Sequence, residues 1–164
     1  MISIDFAQWR HELISSGNLP ATEPPDKIEK KITRYWTLID MVDGTENAHV
    51  FAAIVDSIQD EGTTEAYEST YNALWKFPPK QFAEFFVPLL PGLIDRVPEQ
   101  AGRFLLGLAG WAVESHLPDF NHALAHASET TRTKILDYVQ EMQGEGGWFE
   151  HVRVELVAPK NHAE

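Results

Sequence analysis

The sequence predicts an all-α fold. Apolar side chains recur every three or four residues along most of the chain, as they do on the buried face of an amphipathic helix. Prolines and glycines separate these periodic segments, so the helices are short and the connections between them are tight. The chain has 164 residues, of which 43% are hydrophobic and 23% charged, and this composition favours one globular domain over residues 1–164.

The first two predicted helices fill the N-terminal part of the domain, residues 1–43. Residues 5–16 carry apolar side chains at helical spacing, and Gly17 ends that helix. Residues 26–42 follow two prolines and form one apolar stripe, made of Ile28, Ile32, Tyr35, Trp36, Ile39 and Val42. Because they lie on such stripes, four tryptophans are expected in the core: Trp9, Trp36, Trp75 and Trp111.

Residues 47–143 are predicted to form helical hairpins. The pairs are 47–59 with 65–76, 79–95 with 98–114, and 119–127 with 129–143. Successive pairs start about 32 and 40 residues apart, which is within the range of HEAT and armadillo arrays. We therefore expect HEAT-like stacked hairpins or an irregular helical bundle.

Two local features of these hairpins lead to further expectations. Pro88 lies inside the segment 79–95 and predicts a kink or a new helix start there, since proline lacks the amide donor of a helix. Gly102, Gly107 and Gly110 fall within the segment 98–114, where residues without a side chain let a neighbouring helix come close.

The C-terminal part of the chain has a different pattern. After the glycine-rich sequence "GEGG", residues 148–158 alternate between apolar and polar side chains. This alternation indicates a short strand or an extended docking tail. Trp148, which directly follows the glycines, is the tryptophan expected at a surface or an interface.

Composition excludes several classes of function. The chain has no cysteine, so it forms no disulfide and no thiolate metal site, and this fits a reducing compartment. No apolar stretch reaches the roughly 18 residues of a membrane span, and the N-terminus does not resemble a signal peptide. We therefore expect a cytoplasmic protein that does not bind membranes. A net charge of −12 disfavours nucleic acid and favours a basic partner.

The negative charge is concentrated in one part of the chain. Residues 35–75 contain no Lys or Arg and hold eight of the acidic residues. Exposed helices usually gain stability from ion pairs between residues four positions apart, and this window cannot form any with Lys or Arg of its own. Either the window is a solvated acidic surface or it binds a basic partner.

Histidines provide the best candidate for chemistry. His122 and His126 are four residues apart, so they share one face of a helix, and His116 and Asp119 lie nearby in sequence. Such a cluster could bind zinc or iron in a helical enzyme. The chain has no H-E-x-x-H motif, no phosphate-binding glycine loop and no nucleophile elbow. We therefore expect no enzyme activity and no cofactor.

The segment "ALWKFPPKQFAEFFVPLLPGLI", within this acidic, cysteine-free helical chain, resembles bacterial immunity proteins of contact-dependent inhibition and other polymorphic toxin systems. The resemblance covers mainly residues 47–114. It implies an all-helical protein with HEAT-like hairpins that binds one cognate toxin domain, often a basic nuclease, and blocks it without chemistry of its own.

The charge pattern, rather than the resemblance, predicts which residues bind such a toxin. Carboxylates can mimic nucleic-acid phosphates and pair with Lys and Arg of the toxin. The predicted binding residues are Asp56, Asp60, Glu61, Glu65 and Glu68, followed by Asp43 and Glu46. Two alternatives remain open: a metal-binding enzyme that uses His116, His122 and His126, and a helical scaffold that binds peptides in an apolar groove.

Overall fold

The computed structural model describes residues 5–20, 22–59, 64–108 and 114–144. These residues are helical and contain no strand, which confirms the all-α prediction. The eight α-helices of the described ranges are α1 (Phe6–Gly17), α2 (Pro25–Ile39), α3 (Ala48–Asp56), α4 (Thr64–Trp75), α5 (Pro79–Arg96), α6 (Pro98–Leu106), α7 (Leu117–His126) and α8 (Glu129–Gly144), and a 3-10 turn (Glu114–His116) precedes α7.

Local sequence explains where several of these helices begin. The Asp5 carboxylate accepts a hydrogen bond from the amide of Gln8, and the Asn47 side chain accepts from the amides of His49 and Val50. Each of these side chains satisfies amides at a helix start that have no partner within the helix. Helices α2, α5 and α6 instead begin with a proline, whose fixed φ suits the first helical turn.

The odd-numbered helices lie side by side in chain order. Helix α1 contacts α3, α3 contacts α5, and α5 contacts α7, while α2 packs against both α1 and α4. Helix α5 is the central element, since it also contacts α4, α6 and α8. This succession is compatible with stacked hairpins, and the HEAT-like architecture itself stays a prediction.

Aromatic rings fill the centre of the core. Phe51 of α3 meets Phe77 and Phe82 edge to face, with ring centroids 5.0 and 5.7 Å apart. Trp75 lies 4.7 Å from Phe82, and Phe86 lies 5.0 Å from Phe104. Such pairs contribute about 0.5–1.5 kcal/mol each beyond the area they bury. The sequence "WKFPPKQF", at the joint between α4 and α5, therefore supplies much of the core.

Helix α5 excludes one of the two expectations for Pro88, the start of a new helix. It runs unbroken through Pro88 and Pro91, so no new helix starts at Pro88. Neither proline can donate to the carbonyl four residues before it, and the carbonyls of Glu84 and Val87 lose their helical partners. Helix α6 ends at Leu106, Gly107 and Leu108 continue as π-helix, and residues 109–113 of the predicted segment 98–114 lie outside the described residues.

Close approach of helices at a glycine is confirmed at Gly107. A Cβ atom at this position would lie 3.0 Å from Cζ2 of Trp75, so a larger side chain would push against the indole. Gly110 and the predicted tail, residues 148–158, lie outside the described residues. Within the part of the chain that is described, no helix is both long and apolar enough to cross a bilayer.

Candidate protein-binding face

Trp36 is an exposed residue, which corrects the expectation that it belongs to the core. Its relative exposure is 43%, whereas Trp9 is fully buried, as predicted. The indole nitrogen of Trp36 donates a hydrogen bond to the carbonyl of Ala66 on α4, over 3.1 Å. The ring is thereby held across the junction of α2 and α4. Trp75 is partly buried against the core, and Trp111 and Trp148 lie outside the described residues.

A buried hydroxyl network fixes α2 and α4 relative to each other. The Tyr35 hydroxyl lies 2.8 Å from the Ser57 hydroxyl and 2.7 Å from the Thr70 hydroxyl. These three residues come from α2, the end of α3 and α4, and all are fully buried. Burial raises the pKa of Tyr35 well above its usual range, so the phenol stays neutral and remains a donor.

Three exposed carboxylates lie on the two helices that meet at this junction. Asp40 is one helical turn beyond Trp36, and Glu65 and Glu68 are on the first two turns of α4. All three are exposed, and among the described residues none forms an ion pair. We call Trp36, Asp40, Glu65 and Glu68 the α2–α4 face.

Asp40 occupies an electrostatically unfavourable position. It is the C-cap of α2, where the helix dipole places partial negative charge. A carboxylate there costs about 0.3–1 kcal/mol relative to a neutral residue. Fold stability therefore does not account for an acid at this position.

Basic residues close to the face are directed away from it. Arg34 of α2 pairs with Glu12 of α1, and Lys31 binds Glu23 over 2.7 Å. Lys76, just after α4, donates from Nζ to the carbonyl of Val42 over 2.9 Å. These bases stabilise contacts within the fold, and no base of the described residues forms an ion pair with a carboxylate of the α2–α4 face.

The first five predicted binding residues fall into three groups. Glu65 and Glu68 belong to the α2–α4 face. Asp56 lies on the α1 side of the molecule, where its carboxylate pairs with Arg10 at 3.5 Å. Asp60 and Glu61 lie outside the described residues. The structure thus does not bring Asp56 together with Glu65 and Glu68 in one unpaired cluster.

Asp43 and Glu46 hold the loop between α2 and α3 in shape. Asp43 accepts hydrogen bonds from the amide and hydroxyl of Thr45, and these bonds hold the pKa of its carboxyl well below the usual range. Glu46 accepts from the amides of Asp43 and Gly44, over 3.1 and 2.9 Å. Both carboxylates therefore have structural partners within the loop.

The three histidines of the alternative metal site are not brought together. His116 is buried, and its Nε2 donates to the carbonyl of Phe77 over 3.1 Å while the ring packs against Trp75 and Phe82. His122 and His126 are exposed, with ring centroids 4.3 Å apart. Within the described ranges no group of three His, Asp or Glu residues is arranged to hold a metal ion.

The exposed histidines instead border a groove between α5 and α7. Its volume is about 660 Å³. Small apolar side chains from both helices line it, and Lys80, Glu84 and Asp119 add charged groups. Lys80 and Glu84 are close enough, at 3.9 Å, to offset each other's charge. The apolar lining is formed by Ala83, Val87, Pro88, Ala123 and Ala127.

Comparison with known proteins adds nothing to this geometry, since no family model, curated protein or solved structure matches the chain.

Proposed function

We propose that this protein is an immunity protein that binds and neutralises a cognate toxin domain through the α2–α4 face. One observation carries the proposal: α2 and α4, fixed by a buried network, carry an exposed tryptophan and three exposed carboxylates that form no ion pair within the described residues. Such a face combines the charge that attracts a basic protein with the aromatic residue that most often anchors an interface. The resemblance of residues 47–114 to immunity proteins supports the same function.

A nuclease is the toxin class that this charge fits best. A nuclease must attract phosphates, so its active site is lined by Lys and Arg. Carboxylates on a helical face can take the place of those phosphates, and the chain's net charge of −12 speeds the encounter. Inhibition then requires no catalysis by this protein and occurs at a one-to-one ratio, in the cytoplasm where the toxin acts.

The test uses the protein in its native host. Tagged protein is recovered and its partners are identified, and the recovered toxin domain is then bound to purified variants. In Glu65→Lys/Glu68→Lys, the charge reversal should weaken binding at least about 30-fold, because one buried charge pair at an interface contributes about 2–5 kcal/mol. Growth of cells that express the toxin should no longer be protected.

A matched control carries the same change of charge elsewhere. Asp137→Lys/Glu141→Lys also reverses two exposed acids on one helix, α8. This control should bind nearly as well as the unmodified protein. Equal weakening in both variants would mean that only net charge matters, and undiminished binding of the Glu65/Glu68 variant would exclude the α2–α4 face.

The groove between α5 and α7 favours a second candidate function, a scaffold that binds a peptide. Its apolar lining would hold an apolar segment of a partner. The variant Ala123→Trp fills the groove, and the two candidates respond to it oppositely. A toxin that binds at the α2–α4 face keeps its affinity, whereas a peptide bound in the groove loses it.

A further inference from the structure

Trp36 differs from the other large apolar side chain that is exposed in the described residues. Phe6 of α1 is 39% exposed but stacks on Trp9, with ring centroids 6.1 Å apart. Trp36 makes no ring–ring contact within the described part of the chain. Its indole nitrogen contacts the α4 backbone at Ala66, and the carboxylates of the α2–α4 face lie on the same two helices.

The hydrogen bond of Trp36 determines what the indole can offer to a partner. Because its N–H already donates to the Ala66 carbonyl, the indole has no donor left to present. What remains exposed is part of a ring that carries negative charge on its faces. An aromatic face of this kind attracts a cation, and tryptophan binds cations more strongly than tyrosine or phenylalanine.

The negative charge on the two helices also favours a cation as the ligand. Asp40 follows Trp36 by four residues and therefore lies on the same side of α2. Glu65 is adjacent in sequence to Ala66, whose carbonyl holds the indole. Each of the two helices that meet at the indole therefore carries an exposed carboxylate as a candidate acceptor for a cation.

We propose that Trp36 is the receptor for an arginine side chain of the basic partner, which stacks its guanidinium on the indole and donates to Asp40 or Glu65. Arginine fits better than lysine, because its guanidinium is planar, is weakly hydrated and can stack and donate at the same time. This inference rests on the proposed function, since it names the group that the α2–α4 face recognises.

The test uses hexa-arginine as a probe and needs no knowledge of the natural partner. Hexa-arginine, hexa-lysine and hexa-citrulline are titrated into the isotope-labelled protein at low salt, and the indole N–H signals are followed by NMR. The Trp36 signal should shift with hexa-arginine, less with hexa-lysine, and not with uncharged hexa-citrulline.

Variants show whether the ring itself contributes affinity. Trp36→Leu should weaken hexa-arginine binding about 3- to 30-fold, the range expected for a cation–π contact, while Trp36→Phe should lose less. Phe6→Leu, which removes the exposed aromatic of α1, should leave binding unchanged. Circular dichroism confirms that each variant is folded.

Two outcomes would overturn the inference. Equal affinity of the unmodified protein and Trp36→Leu would show that the ring does not bind the cation, and absence of hexa-arginine binding would show that the face is not a cation receptor. Neither outcome decides the proposed function, which is tested by Glu65→Lys/Glu68→Lys against the recovered toxin. If that variant fails to weaken toxin binding while Trp36→Leu weakens hexa-arginine binding, the proposed function fails and the cation site stands.

Discussion

Gly44 is the residue whose backbone most constrains the loop between α2 and α3. Its φ is +90°, a backbone conformation that residues other than glycine rarely adopt. The space around it is also filled, since a Cβ atom there would lie 2.4 Å from the carbonyl oxygen of Lys76. The sequence "DGTEN" predicts a break between helices, but it does not show that the glycine also contacts the end of α4.

We expect Gly44→Ala to lower the free energy of unfolding by about 2–4 kcal/mol, because it combines a strained φ with a clash against backbone. Urea denaturation of the purified protein measures this loss. Gly92→Ala is the matched control: Gly92 lies inside α5 with no atom within 4 Å of an added Cβ. It should be neutral or stabilise the protein by up to about 1 kcal/mol. Similar effects of the two substitutions would contradict this account of Gly44.

Trp36 shows that helical periodicity does not always predict the burial of a single residue. At 100° per residue, Trp36 lies roughly 70° from the centre of the stripe formed by Ile28, Ile32, Tyr35 and Ile39. A residue at the edge of a stripe is buried only if a neighbouring helix extends over it. That depends on how α4 packs on α2, which no pattern within α2 contains. The exposure of Trp36 therefore could not be predicted from the sequence.

Among the helices, α5 shows the largest conflict between helix propensity, which its internal prolines lower, and packing, which stabilises it. Two prolines inside an α-helix would each cost about 3 kcal/mol in isolation. The helix nevertheless continues, because it is surrounded by α3, α4, α6, α7 and α8 and buries Phe82, Phe86, Leu90 and Leu93. The sequence could indicate that Pro88 weakens the helix. Whether the helix continues there depends on its packing against helices that are distant in the chain.

Replacing Pro88 by alanine should therefore stabilise the protein. Pro88 is exposed, so little packing is lost, and the new amide can donate to the carbonyl of Glu84. We expect the free energy of unfolding to rise by about 1–3 kcal/mol in thermal or urea unfolding. Pro91→Ala serves as the comparison and should gain less, because Pro91 is partly buried. Destabilisation by Pro88→Ala would mean that packing around α5 requires the helix shape that proline imposes.

For the whole molecule, the charge distribution has a measurable effect on stability. With a net charge of −12 the folded chain repels itself, and the α2–α4 face contributes carboxylates that no base offsets. Added salt screens this repulsion once the Debye length falls to about 10 Å or less. Stability should therefore depend on salt, and the face should account for part of that dependence.

Raising sodium chloride from about 10 to about 300 mM should increase the midpoint of thermal unfolding, because the Debye length shortens about five-fold over this range. The triple variant Asp40→Asn/Glu65→Gln/Glu68→Gln should show a smaller increase. The control variant is Asp56→Asn/Glu84→Gln/Asp95→Asn, which removes the same charge from carboxylates that already have basic partners. In this control, the rise of the unfolding midpoint with salt should stay closer to that of the unmodified protein than in the triple variant. A midpoint that falls with salt in the unmodified protein would contradict this explanation.

The fold class could be predicted from the sequence because it depends on local signals: helical periodicity, capping side chains and proline at helix starts. The candidate site could be predicted only in part. The window without Lys or Arg indicated Glu65 and Glu68, but it could not separate them from Asp56, Asp43 and Glu46. Asp56 pairs with Arg10, which folding brings from a distant part of the chain, whereas Asp43 and Glu46 accept from amides of their own loop, whose conformation a charge pattern does not show.

The hydroxyl network of Tyr35, Ser57 and Thr70 has a consequence for the speed of binding that the proposed function requires. Because it holds α2, α3 and α4 together, the two helices that carry the α2–α4 face keep their relative positions before any partner arrives. Association of a rigid surface with an oppositely charged one is limited by diffusion and steering, and reaches about 10⁸ M⁻¹s⁻¹ at low salt. Under the proposed immunity function, the protein would therefore capture a toxin on nearly every oriented collision, before the toxin reaches many substrates.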